Sequence, residues 1–173
     1  DFPTFYSTVS NEEAFTLVRS NLAEPNSKFI TNDYSVKRKI NDTLDTNQKP
    51  NVIFILMESM SAEFMKEFGN DKAITPFMDE LAQKSLLFTN LYATGTRTVR
   101  GMEAVTLSIP PTPGSSIVKR PDNAGLFTIS NVFKERNYQC NFFYGGDGYF
   151  DKMPAFYGRN GFDIYDRGRG RVL

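Results

Sequence analysis

The stretch that decides the fold is PNVIFILME, Pro50 to Glu58. From Asn51 to Met57 it is a continuous apolar run rich in β-branched residues, the pattern of a strand buried on both faces of a parallel sheet. It then stops at a carboxylate. In open α/β sheets ligands bind beyond the carboxyl ends of the strands. Glu58 therefore reads either as a solvated acid that begins a loop or as an oxygen ligand for a divalent cation.

Downstream, strand and helix patterns alternate. Residues 61–68 suit one or two helical turns. Thr75–Ser85 (TPFMDELAQKS) carries a helix-start signal, with Thr75 as the cap, Pro76 in the first turn and Phe77, Met78 and Leu81 on one face. Leu86–Ala93 (LLFTNLYA) predicts a second strand, and Thr98–Ile109 a helix ended by Pro110, Pro111 and Pro113. Thr128–Asn137 predicts an amphipathic helix that leads into a third strand within Tyr138–Gly146. A short helical turn and an extended piece at Phe162–Tyr165 follow. This order predicts an α/β fold with a mostly parallel central sheet flanked by helices.

Upstream, residues 1–49 are polar and mixed. Asn11–Leu22 predicts a short helix capped by Asn11, and the remainder reads as a linker or peripheral layer. Residues 50–173 form the second segment.

Composition narrows the function classes. The 173 residues are enough for a core without disulfides or zinc, since a chain near this size buries roughly 70% of its unfolded surface. Lys plus Arg and Asp plus Glu both total 20, so no basic excess supports a nucleic-acid partner. Cys140 is the single cysteine and its apolar context suits a buried strand position. No stretch has the apolar length of a membrane-spanning helix. There is no His, so triads and most zinc sites built on imidazole are unavailable within this sequence.

Two further groups carry chemistry. In ATGTRTVRGMEA (Ala93–Ala104) a helix begins near Thr98, just after Gly95 and Arg97. Free N–H groups at a helix start attract phosphate or sulfate oxygens. Thr98 either caps that helix or is a nucleophile whose hydroxyl a metal ion activates. In GGDGYFDK (Gly145–Lys152) Asp147 and Asp151 are too few for an EF-hand loop. That segment is either a plain turn or a pocket floor on which Lys152 meets an anion.

The order and spacing of PNVIFILMES, TPFMDELAQKSLLFTNLYA, GTRTVRGMEA and FFYGGDGYFDKM followed by GFDIYDR resemble the lipoteichoic acid synthase and phosphoglycerol transferase family of the alkaline phosphatase superfamily. The resemblance implies an alkaline phosphatase-like, sulfatase-like domain of which residues 50–173 are about the first half. It implies a divalent metal, manganese, magnesium or zinc, with Glu58 and Thr98 as ligands. It also implies Thr98 as the nucleophile that carries a phosphothreonine intermediate, with Arg97 in the place of the family's usual lysine. The head-group-binding segment, aromatic–Asn–Arg in the family, falls on Phe150, Asp151 and Lys152.

The implied activity is transfer or hydrolysis of phosphodiester head groups of an anionic lipid or glycan. The implied place is the extracytoplasmic, periplasmic face of a bacterial cell membrane, with residues 1–49 following a membrane anchor. A sulfatase-family hydrolase is the near alternative, although sulfatases use a Cys or Ser in a C/S-x-P-x-R context where this chain reads TVRGM. A non-catalytic domain that binds an anionic glycan or lipid head group is the other. Family members complete the metal site with histidines from the second half of the domain. The 173 residues alone are therefore expected to bind metal weakly and to lack turnover.

Overall fold

The computed structural model describes residues 4, 8–41, 48–148 and 150–169. The chain divides into two compact units, Asp1–Ile55 and Leu56–Leu173.

In the first unit, helix α1 spans Asn11–Leu22 as its sequence suggests, but its cap lies one residue earlier. Ser10 is extended and its hydroxyl accepts the Glu13 N–H, so Ser10 rather than Asn11 is the cap. Strands β1 (Ser27–Phe29) and β2 (Arg38–Ile40) pair antiparallel, with Ser27 opposite Ile40. Arg19 ties α1 to this hairpin. Its guanidinium donates to the carbonyls of Thr31 and Asp33 and lies 4.4 Å from the centre of the Phe29 ring. A cation over an aromatic face at that distance is attracted by the ring quadrupole.

The second unit contains helices α2 (Pro76–Lys84), α3 (Thr98–Leu107), α4 (Ile129–Lys134) and α5 (Met153–Arg159), and strands β3 (Asn141–Tyr144) and β4 (Asp163–Asp166). β3 and β4 pair in parallel, Asn141 opposite Asp163 through Tyr144 opposite Asp166, with α5 as the crossover between them. This is the β–α–β element that the alternating pattern predicts. Its core joins Val99 and Met102 of α3, Val118, and Met153, Phe156 and Tyr157 of α5. Phe142 of β3 stacks on Tyr157 with ring centres 3.9 Å apart.

Polar groups close this core. Asn160, at the end of α5, accepts the Leu126 N–H and donates to the carbonyls of Asn123 and Phe156. The Ser130 hydroxyl donates to the Asn160 carbonyl at 2.6 Å. Pairing of this kind offsets the cost of burying polar groups. Gly148 is required by close approach, because a Cβ there would meet the Asp166 carboxylate and the Pro154 ring.

The two strands predicted at Asn51–Met57 and Leu86–Ala93 are not formed. Both stretches lack regular structure, and their apolar side chains stand open: Ile53 is 84% exposed and Leu91 80%. The mostly parallel central sheet is thus represented by β3 and β4 alone among the described residues. The physical reason is that a strand has no hydrogen bonds of its own. β-Propensity expresses fit to a pleated, half-buried surface, and among the described residues neither run pairs with a strand.

Candidate active site

Glu58 sits at a turn rather than at a strand end. The next residue, Ser59, has φ 55°, a left-handed conformation in which the chain reverses. Forty positions later the chain returns. The Thr98 hydroxyl donates a 2.7 Å hydrogen bond to Glu58 Oε1.

Thr98 is the first residue of α3, not its cap. The capping position is Arg97, extended at φ −118°, and no side chain caps the helix. The reading in which Thr98 serves only to cap α3 is therefore set aside, because its hydroxyl is committed to a carboxylate from elsewhere in the chain. Arg97 is exposed at the same helix start, and its guanidinium makes no hydrogen bond among the described residues.

The Gly95–Thr98 turn is braced from below by Arg100. A Cβ at Gly95 would lie 2.8 Å from the Arg100 Cβ, so the glycine lets the backbone rest on the arginine stem. Arg100 donates to Glu103 Oε1 at 2.7 Å, to the Thr112 carbonyl at 2.9 Å, and to the Gly114 carbonyl. Glu103 is fully buried. Its other oxygen accepts from the Ser116 hydroxyl at 2.8 Å and the Ile117 N–H at 2.6 Å. Burial pushes this carboxyl upward. The hydrogen bonds from Arg100, Ser116 and Ile117, with the charge of Arg100, outweigh it and hold Glu103 below its ordinary value.

Thus α3 and the 112–120 loop are one hydrogen-bonded body. The sequence reading missed this network. Its only local signal is the i, i+3 spacing of Arg100 and Glu103, which puts them on one helix face.

The third predicted group forms the tight turn Phe150–Lys152, which leads straight into α5. Asp151 and Lys152 have φ 60° and 57°, a conformation that costs a non-glycine residue on the order of 1 kcal/mol. Asp151 is not open to a ligand. Its Oδ1 lies 2.5 Å from Lys119 Nζ. Lys152 is exposed. The short helical turn Ile117–Lys119 packs against both α3 and Phe150–Lys152. The structure therefore brings Glu58, Thr98 and Arg97 together and joins Phe150–Lys152 to the same body through Lys119. Among the described residues no hydrogen bond links that turn to Glu58 or Thr98 directly.

Glu58 and Thr98 offer adjacent oxygen donors, which suits a hard divalent cation as part of its shell. Among the described residues no group of three or more His, Cys, Asp and Glu side chains gathers to complete one.

The geometry defines an α/β domain with a carboxylate-held hydroxyl at the start of a helix. The Sulfatase family profile matches residues 50–171, and the chain belongs to that family. It is 27% identical over 103 residues to an N-acetylgalactosamine-6-O-sulfatase of Bacteroides thetaiotaomicron, covering 56% of this chain and 20% of that one. It is also 27% identical over 120 residues to the lipoteichoic acid synthase-like YvgJ of Bacillus subtilis, covering 66% and 19%. Among solved structures it is similar to a protein of the alkaline phosphatase superfamily from Vibrio parahaemolyticus. That match has TM-score 0.52 and 45% identity, and covers 56% of this chain and 24% of that one. The chain thus spans about a fifth to a quarter of the length of these relatives.

Proposed function

We propose that this chain is part of a transferase or hydrolase of phosphodiester head groups, phosphoglycerol transferase-like, with Thr98 as the nucleophile. The observation that carries the reading is the 2.7 Å hydrogen bond from the Thr98 hydroxyl to Glu58. A hydroxyl so held is pre-oriented, its proton directed at a carboxylate and its lone pairs free to face a phosphorus atom.

In the first step Thr98 Oγ1 bonds to phosphorus and the bond from phosphorus to the leaving alcohol oxygen breaks. The hydroxyl proton passes to Glu58 Oε1, which is open to solvent, and the departing alkoxide is protonated from solvent. In the second step an acceptor alcohol or water attacks phosphorus and gives up its proton to solvent, the bond from phosphorus to Thr98 Oγ1 breaks, and the proton held by Glu58 returns to Thr98 Oγ1 to restore the hydroxyl. Arg97 and the N–H groups of the first turn of α3 face the negative charge that develops. A divalent cation, manganese, magnesium or zinc, held by Glu58 and Thr98 would lower the hydroxyl pKa and neutralise phosphoryl oxygens. In this reading Lys152 meets the anionic head group of a lipid or glycan.

A second reading is favoured by the family match and by the Bacteroides relative: hydrolysis of a sulfate ester on a glycan. Against it stands Thr98, because a threonine does not yield the formylglycine aldehyde. The match to YvgJ supports a place on the extracytoplasmic face of a bacterial membrane. No helix among the described residues is long and apolar enough to cross one. The length of the relatives and the open apolar runs at Val52–Met57 and Leu86–Tyr92 support further sheet neighbours and metal ligands from additional sequence.

Turnover of bis(p-nitrophenyl) phosphate and of p-nitrophenyl sulfate by the full-length protein separates the readings. The phosphodiester is expected to be cleaved, and Thr98→Ala is expected to abolish the cleavage. Cleavage of the sulfate ester alone would establish the second reading instead.

A further inference from the structure

The turn Phe150–Lys152 is held from outside itself. Two successive non-glycine residues in the left-handed region persist where their surroundings over-determine them. Asp tolerates that conformation and Lys does not favour it. The outside hold is Lys119, whose ammonium lies 2.5 Å from the Asp151 carboxylate, with the Asp151 side chain 19% exposed. Lys119 does not sit on a loose loop tip. It closes the turn Ile117–Lys119, whose Ile117 N–H is gripped by buried Glu103 and whose Val118 is fully buried in the core.

We propose that Lys119 is a positioning and specificity-determining residue. It cancels the charge of Asp151 and fixes the turn, so that Lys152 alone presents charge to an anionic head group. The inference rests on the reading of Phe150–Lys152 as the substrate segment. Among the described residues no acid pairs with Lys152, so cancelling Asp151 leaves the turn with a positive outward face. Without Lys119 the same segment would carry an uncompensated carboxylate next to Lys152, and its charge would oppose the approach of an anion even through a partly screened surface. A purely mechanical latch would need both partners. A charge-cancelling one would not.

The test uses the full-length protein and phosphatidylglycerol in mixed micelles. Lys119→Gln is expected to raise KM roughly tenfold with kcat within about twofold, the effect of one uncompensated charge. Adding Asp151→Asn, which removes that charge but does not restore the hold on the turn, is expected to lower KM about threefold or more from that of the single variant. An unchanged KM in Lys119→Gln overturns the proposal, as does a double variant no better than the single one. Should Lys119→Gln fail to fold, a folded double variant with KM within about threefold of wild type supports the charge role, and an unfolded double variant or one with a higher KM overturns it. The parent reading is checked separately. If Thr98→Ala keeps its turnover the catalytic assignment fails, whereas a Thr98-dependent enzyme indifferent to Lys119 sinks only the present inference.

Discussion

Glu103→Ala is the perturbation with the largest stability effect that the structure allows to be worked out. The carboxylate is fully buried and receives hydrogen bonds of 2.7 Å from Arg100, 2.8 Å from Ser116 and 2.6 Å from the Ile117 N–H. Ser116 keeps an alternative acceptor in the Val99 carbonyl at 3.1 Å, and Arg100 keeps the carbonyls of Thr112 and Gly114. The Ile117 N–H keeps none that the structure shows, and the vacated volume stays enclosed. Removing one partner of a buried ion pair costs about 3–5 kcal/mol. For a chain of this length each kcal/mol lowers Tm by roughly 2–4 °C, so a fall of roughly 6–20 °C is expected. Glu103→Gln keeps the shape and can still accept from Ile117, so about 1.5–3 kcal/mol is expected. Thermal unfolding of the 173-residue chain at pH 7, followed by circular dichroism, reads both values. A Glu103→Ala variant within about 2 °C of wild type would show that the network does not hold the 112–120 loop on α3.

The pH dependence follows from two shifts of opposite consequence. The Glu103 carboxyl is held below its ordinary value of 4.5, so its contribution is present above that value and lost as pH falls through the lower folded one. Glu103→Gln should flatten the acid limb of a stability–pH curve. Burial raises the Tyr157 phenol above its ordinary value of 10.0, against the bond with Thr106. Its stabilisation is therefore present below pH 10.0 and lost as pH rises through the folded value, and Tyr157→Phe should remove that alkaline loss. Gly148→Ala should destabilise by more than about 1 kcal/mol in urea unfolding, since Asp166 and Pro154 leave no room for a methyl group.

How much could be read in advance depended on whether the information was local. α2, α3 and α4 lie where Thr75–Pro76, Thr98 and Thr128 announce helix starts, because caps and proline act within one turn. Capping chemistry itself was less legible. Ser10 displaced Asn11, and the Thr75 hydroxyl goes to the Phe64 carbonyl instead of the helix end. β3 and β4 form close to where their apolar pattern puts them. PNVIFILM has the stronger strand pattern yet forms none, since pairing depends on partners remote in sequence.

The site divides in the same way. Glu58 and Thr98 were each ambiguous alone, and nothing in a spacing of 40 residues says that they touch. The family resemblance singled both out as ligands, and the fold puts them in contact. Lys119 and Asp151 are likewise far apart in sequence. Neither spacing nor resemblance pointed to that pair, and only the packing of the Ile117–Lys119 turn exposes it.

With Thr98 as the proposed nucleophile, this residue is expected to become covalently modified during turnover. Full-length protein incubated with phosphatidylglycerol and manganese, quenched in acid and digested, should yield a peptide bearing a phosphoryl or glycerophosphoryl group on Thr98 by tandem mass spectrometry. The adduct should be absent from Thr98→Ala and accumulate more slowly in Glu58→Gln. Turnover with unmodified Thr98, or an adduct that persists elsewhere in the Thr98→Ala protein, would contradict the account.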